Sequence, residues 1–226
     1  MVARPYVLLS TAASLDGYID DDSDTRLLLS SESDFDRVDE LRAGVDAILV
    51  GANTVRNDNP RLVLRSAARA RRRVEVGLPA GPSKVTLTGT GELDPEAAFF
   101  TVGDVEKLVY VSAGAYRTAR RRFGGHATVV STGDTLEPGA LLADLARRGV
   151  HRLMVEGGAG VQASLLAAQL VDELHLVYAP FFVGARGGAS LADHASFVAG
   201  HPSMTLAEVR GMGDHVLLRY LLEADS

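Results

Sequence analysis

Apolar residues along this chain gather in short runs bounded by Gly, Pro, Asn or Asp, and between the runs lie stretches of helical period. Val45 to Val50 is such a run, broken only by Asp46, and predicts a buried strand ended by Gly51. The polar ANTVRNDNPRL that follows is expected to be a loop, with Pro60 keeping Asn59 out of the helical region. Tyr6 to Leu9, continued in small residues through Ser14, has strand character, as do Lys84 to Thr88, Leu108 to Val111, Thr128 to Ser131 and Arg152 to Val155. Helices are predicted from Ser33 to Gly44, with Phe35, Val38, Leu41 and Arg42 on one face, and at Tyr116 to Phe123, Ala140 to Arg148 and in VQASLLAAQL. Strands alternating with helices at this spacing predict a largely parallel sheet with right-handed crossovers. Val171 to Pro180 reads as a half-buried strand. Met204 to Arg210 and His215 to Leu222, joined by Gly-Met-Gly-Asp, predict a hairpin that makes the sheet mixed. No repeat or linker divides the 226 residues, so one domain, 1–226, is expected.

Two stretches carry candidate chemistry. A buried strand opening into polar residues is where open α/β sheets place ligands, which singles out Gly44 to Arg65. An ordinary strand exit is the plain alternative. Arg42 either complements the end of its helix dipole or reaches into the site that the next strand opens. The second stretch is Val155 to Gly160, where a strand runs into glycines and then a helix. Main-chain N–H groups there are placed to meet an anion such as a pyrophosphate, although close helix–strand packing explains glycines equally well. The pattern is neither GxGxxG nor a Walker A loop. Glu156, a carboxylate at a strand end, needs a partner or a function. Asp20, Asp21, Asp22 and Asp24 lack the spacing of a calcium loop and read as solvated. Arg69, Arg71, Arg72 and Arg73 read as a solvated basic loop, with phosphate binding the sharper alternative.

Composition removes several classes. The net charge of −6 recruits neither nucleic acid nor an anionic membrane, and the absence of cysteine excludes disulfides, thiolate nucleophiles and Cys-based zinc sites. No segment approaches a membrane span and the N-terminus lacks a signal-peptide core, so a cytoplasmic protein is expected. His126, His151, His175, His194, His201 and His215 show no metal-ligand spacing, and no metal is expected.

SLDG at 14–17, LRAGVDAILVGANTVRNDNPRL at 41–62, and VEGGAGV with VDELHLVYAP at 155–180 together resemble the reductase domain of riboflavin biosynthesis, in the dihydrofolate-reductase-like superfamily. Each motif is weak singly; the three in this order are specific. The resemblance implies an α/β three-layer fold with a central mixed, mostly parallel sheet and a C-terminal β-hairpin. It also implies a homodimer using NADPH to reduce the ribosyl group of a ribosylamino-pyrimidine 5′-phosphate to ribityl. With no deaminase domain before it, a stand-alone reductase is expected. Carried over by motif, Ala12, Leu28, Thr54, Asp58, Gly157, Gly158, Ala159, Gly160, Val161 and Ser164 would bind the cofactor. Ser14, Arg42, Leu62, Arg65 and Glu156 would bind substrate, the arginines suiting a phosphate. Asp58 and Glu156 are the candidates for the proton path. NADPH over NADH follows from the resemblance, with Arg69 to Arg73 as possible readers of a 2′-phosphate. Two positions depart from the family: Ser10, where bacterial relatives of the fused enzyme often carry Lys, and Leu28, where they often carry an aromatic ring. A dihydrofolate or pterin reductase is the alternative enzyme, and a non-catalytic NADPH-binding module the alternative of another class.

Overall fold

The computed structural model describes residues 4–21, 27–184, 188–190 and 203–223. Asp22 and Asp24 of the acidic loop, and His194 and His201, lie outside them. In chain order the elements are β1 (Tyr6–Ser14), α1 (Glu32–Ala43), β2 (Ala47–Gly51), α2 (Ala52–Asp58), α3 (Ala67–Glu75), β3 (Ser83–Thr88), α4 (Ala98–Thr101) and β4 (Lys107–Val111). They continue with α5 (Ala113–Phe123), β5 (Thr128–Ser131), α6 (Pro138–Arg147), β6 (Arg152–Gly157), α7 (Ala159–Ala167), β7 (Glu173–Ala179), β8 (Met204–Met212) and β9 (His215–Leu222). The chain forms two compact units, Met1–Tyr6 with Asp39–Met154, and Val7–Val38 with Val155–Ser226.

In the first unit the strand order is β5-β4-β3-β2-β6. β2 pairs with β3, β3 with β4 and β4 with β5, all parallel, with Leu49 opposite Val85, Val85 opposite Leu108 and Val109 opposite Val129. Parallel strands joined by helical crossovers are covered on both faces, which is why β2 and β4 read as apolar runs. Ile48, Leu49, Val85, Leu108, Val109 and Tyr110 are no more than 1% exposed, each such apolar side chain contributing about 1.5–3 kcal/mol through burial. Phe100 stacks on Phe123 with ring centroids 5.0 Å apart, closing the core beneath α5.

The second unit orders its strands β1-β7-β9-β8. β1 and β7 are parallel, with Ala12 opposite Val177 and Ser14 opposite Ala179, while β9 pairs antiparallel with both β7 and β8. Asp172 ties the start of this ladder, its Oδ2 accepting from the main-chain N–H of Val7 at 2.7 Å. The mixed, mostly parallel strand arrangement with helices and a C-terminal hairpin, expected from the sequence, is present.

Two expectations are corrected. Residues 52–58 are not a loop but α2, a seven-residue helix that starts where β2 ends, Gly51 being extended at φ −71° and ψ 157°. No Pro or Gly interrupts those seven residues, and the helix stops at Asn59 in the left-handed region, φ 44°, ahead of Pro60, which bars right-handed helix from the residue before it. The arginine run is likewise helical. Ser66 caps α3, its hydroxyl accepting from Arg69 N–H at 3.4 Å, and Ala and Arg propagate the helix well.

Candidate active site

In the first unit the site is built where β2 gives way to α2. Thr54, half-buried, and Asp58, exposed, stand four residues apart on one helix and therefore share a face. Asn59 closes the helix and accepts the Ala98 N–H on its side-chain carbonyl at 2.7 Å. The chain then descends through Leu62, buried at 3% exposure with φ 47°, so Leu62 shapes the turn with its backbone. Arg42, in the last turn of α1, donates from Nη1 to the Val63 carbonyl at 3.2 Å. Asp39, one turn earlier, accepts the Arg65 N–H at 2.5 Å. The structure thus brings Arg42, Leu62 and Arg65 together around one loop, with Thr54 and Asp58 on the helix that precedes it.

Arg69, Arg72 and Arg73 of the run beside this loop are committed elsewhere. Arg69 pairs with Asp39 at 3.0 Å and Glu40 at 2.5 Å, and Arg72 pairs with Glu40 at 2.8 Å. These two cations hold the Glu40 carboxyl below its ordinary range, Arg69 most strongly. Arg73 is buried, donating to the carbonyls of Ala43, Val45 and Pro79 at 2.8–2.9 Å. The run braces α3 against α1 and the following loop, which is the physical reason it is not a solvated loop.

In the second unit the strands end in a polar turn. Ser14, fully buried at the end of β1, donates from Oγ to Asp16 Oδ1 at 2.6 Å and accepts the Tyr18 N–H at 3.1 Å. Asp16 also accepts the N–H groups of Val183 at 3.1 Å and Gly184 at 2.7 Å, fixing the segment that follows β7. The Ser14 hydroxyl is the largest cause that lowers the Asp16 pKa to about 2, the two N–H groups adding to it. Ala12 is half-buried in the same strand, and Leu28 is exposed.

Glu156 is half-buried in β6, one residue before the strand ends at Gly157. Gly158 then takes φ 89° and ψ 97°, a conformation that costs an L residue strain, and caps α7. Its carbonyl accepts from Val161 and Gln162 at 2.9 and 3.0 Å, and Ser164 Oγ donates back to the Gly160 carbonyl at 2.7 Å. The first N–H groups of a helix have no intrahelical acceptor, and a Cβ built on Gly160 would meet nothing within 4 Å. An anion approaching this turn meets main-chain donors and open space, so the residues fit a phosphate group.

Sequence reasoning missed Asp16, Asp39 and Arg37 as organisers. The signal was present for Asp16, since Asp in a turn before Gly accepts nearby main-chain N–H groups. For Asp39 the only sign was a carboxylate beside Val38 on the face expected to be apolar.

Comparison with known proteins places the chain in a family. The model of the family described as RibD C-terminal domain matches residues 5–218. Over 196 residues the chain is 40% identical to the 2,5-diamino-6-ribosylamino-4(3H)-pyrimidinone 5′-phosphate reductase of Archaeoglobus fulgidus, covering 86% of this chain and 89% of the relative. Its Methanothermobacter thermautotrophicus counterpart of the same name is 35% identical over 193 residues, 84% of either chain. The crystal structure of a pyrimidine reductase-like protein from Corynebacterium diphtheriae shares the fold, with a TM-score of 0.81 at 21% identity, covering 98% of this chain and 93% of that one. This chain belongs to the RibD C-terminal domain family.

Proposed function

We propose that this protein reduces the ribosyl group of a ribosylamino-pyrimidine 5′-phosphate to ribityl, as a reductase of riboflavin biosynthesis using NADPH. The observation that carries the reading is the 40% identity with the Archaeoglobus fulgidus reductase over nearly the full length of both chains. In the reaction the bond between the ribose C1′ and its ring oxygen breaks, a C–H bond forms at C1′, and the released oxygen takes a proton. NADPH supplies the hydride.

The protein's own groups bind, orient and deliver the proton. Arg65 and Arg42 hold the substrate phosphate, because a guanidinium matches phosphate oxygens in a forked geometry. Thr54 and Asp58 on α2, with Ala12 and Leu28, line the cofactor site, and the α7 turn from Gly157 to Val161, with Ser164, takes the cofactor phosphates. Ser14 and Glu156 meet the substrate's polar groups. The proton comes from Asp58 or Glu156. Replacing each by its amide tells them apart: the donor's variant loses kcat and the matching limb of the pH profile, while the other retains both. The proposed state in solution is a homodimer, which light scattering reads directly, and a dimer fits the nine-residue β8 with its exposed Met204, Leu206 and Val209.

The decisive assay follows NADPH consumption with the ribosylamino-pyrimidine phosphate and dihydrofolate offered in parallel. Turnover of the pyrimidine is expected. Turnover of dihydrofolate alone overturns the proposal, as does tight NADPH binding with no turnover of either. NADH offered at equal concentration tests the preference for the 2′-phosphate.

A further inference from the structure

The two fully buried positions of α1 are both carboxylates, Asp34 and Asp39, each 1% exposed. A buried carboxylate is costly unless donors surround it, and Asp39 has three. Its Oδ1 accepts the Arg65 N–H at 2.5 Å, and its Oδ2 accepts the Ser66 N–H at 3.1 Å and Arg69 Nη1 at 3.0 Å. Arg42, one turn later on the same helix, holds the Val63 carbonyl at 3.2 Å. The last turns of α1 therefore grip the main chain of residues 63–66 at three points within four residues. Such a grip removes backbone freedom from Arg65 before any ligand arrives, so none of that ordering is left for the binding step. Arg69 meanwhile balances the Asp39 charge while sharing its guanidinium with Glu40, whose carboxylate lies 2.5 Å from Arg69 Nε.

We propose that Asp39 is a positioning residue for Arg65: its buried carboxylate presets the main chain from which the Arg65 guanidinium meets the substrate phosphate, and so sets the preference for a phosphorylated substrate. This rests on the reading of Arg65 as a phosphate anchor. Asn at position 39 has the same shape, but its amide turns one acceptor oxygen into a donor that faces the Ser66 N–H and Arg69. The loop then loses its lock while the helix keeps its packing.

The test compares the phosphorylated substrate with its dephosphorylated nucleoside in wild type, Arg65→Ala, Asp39→Asn and the double variant. Asp39→Asn is expected to raise KM for the phosphorylated form about tenfold, with kcat within about twofold and KM for the nucleoside unchanged, which is the pattern of lost uniform binding. In the double variant the phosphate preference should be no lower than in Arg65→Ala alone, because the two residues act through one guanidinium. An Asp39→Asn effect equal on both substrates, an effect on kcat alone, or additive effects in the double variant each overturn the proposal. If Arg65→Ala lowers the preference while Asp39→Asn leaves it intact, the anchor stands and the positioning role falls. If Arg65→Ala is itself blind to the phosphate, the reading of Arg65 falls and takes this proposal with it. Should Asp39→Asn be recovered unfolded, Asp39→Glu makes the same comparison, since it keeps the charge and displaces the carboxylate by one methylene.

Discussion

Arg37 Nη1 lies 3.0 Å from His175 Nδ1, and a guanidinium only donates. His175 must therefore accept at Nδ1 and carry its proton on Nε2, which faces Glu173 Oε1 at 2.8 Å. The same guanidinium donates to Asp34 at 2.8 Å and Ser10 Oγ at 3.2 Å, and Arg219 donates to Glu173, so a chain of charged and polar groups, partly exposed at Arg219, ties α1 to β1, β7 and β9. Nitrogen-detected NMR of His175 should show the neutral ring protonated on Nε2; a proton on Nδ1 would break the assignment.

Removing the middle of that chain should be costly. Arg37→Met leaves Asp34, 1% exposed, without its cation, and breaking a buried pair on one side typically costs about 3–5 kcal/mol. Urea unfolding measures it, and a loss below about 1 kcal/mol would mean that the pair is solvated in solution.

Asp16 gives an acid-side prediction. Its folded pKa of about 2 lies below the ordinary 3.8, so its contribution to stability is fully present above about 3.8 and is lost as pH falls through about 2. The amides of Val183 and Gly184, which donate to it at 3.1 and 2.7 Å, should lose exchange protection across that window. Ser14→Ala removes the largest cause of the shift and should move the Asp16 titration upward, as a carboxyl-carbon NMR titration would show. An unmoved titration would assign the shift to the main-chain donors instead.

How much of this was legible in the sequence depends on which signal each part leaves. The runs that became β2 and β4 were legible because strands covered on both faces read as apolar runs, whereas β3 encloses Lys84 and Thr86 and β7, read as half-buried, encloses Glu173 and His175. The glycine turn before α7 was legible because a strand running into glycines is a local pattern. α2 was not, because its seven residues carry two Asn and an Asp, which favour turns on their own, and only the strand end and Asn59 make a helix of them. α3 was hidden for a related reason: the basic run is amphipathic by charge partner, Arg69 and Arg72 meeting carboxylates of α1 while Arg73 meets carbonyls. No periodicity count finds that. The same holds for α1, whose expected apolar face of Phe35, Val38 and Leu41 is half-buried while Asp34 and Asp39 are fully enclosed.

Gly158 should be irreplaceable for cofactor binding while remaining dispensable for the fold. At φ 89° and ψ 97° a side chain adds strain of about 1–3 kcal/mol, which a melting curve reads. Gly158→Val also places a branched side chain beside the donors of the α7 turn, so NADPH affinity should fall more than about tenfold, a loss of about 1.4 kcal/mol. Calorimetric titration with NADPH, alongside a melting curve, separates the two effects. Unchanged affinity would remove the turn from the cofactor site.

Lys84 offers the sharpest test of burial against charge. It sits in β3 with no exposure, donating from Nζ to the carbonyls of Phe99 at 3.1 Å and Val102 at 2.6 Å. Burial first, and then the charges of Lys107 and Arg42, lower its pKa from 10.5 to about 8. Between those values the unfolded chain holds the proton that the folded chain has shed, so stability rises with pH across the window and the cost of the buried charge is complete below about 8. The neutral amine still has two N–H groups for its two carbonyls, so deprotonation removes the charge without orphaning either acceptor. Lys84→Met has no such proton to lose and strands both carbonyls, each at a cost of about 1–3 kcal/mol. Unfolding free energies of the two proteins, compared at pH about 7 and about 10, should therefore diverge in favour of wild type as pH rises. A constant difference would show that Lys84 keeps its proton in the folded state throughout, and that the two carbonyls stabilise the ammonium as well as bulk solvent does.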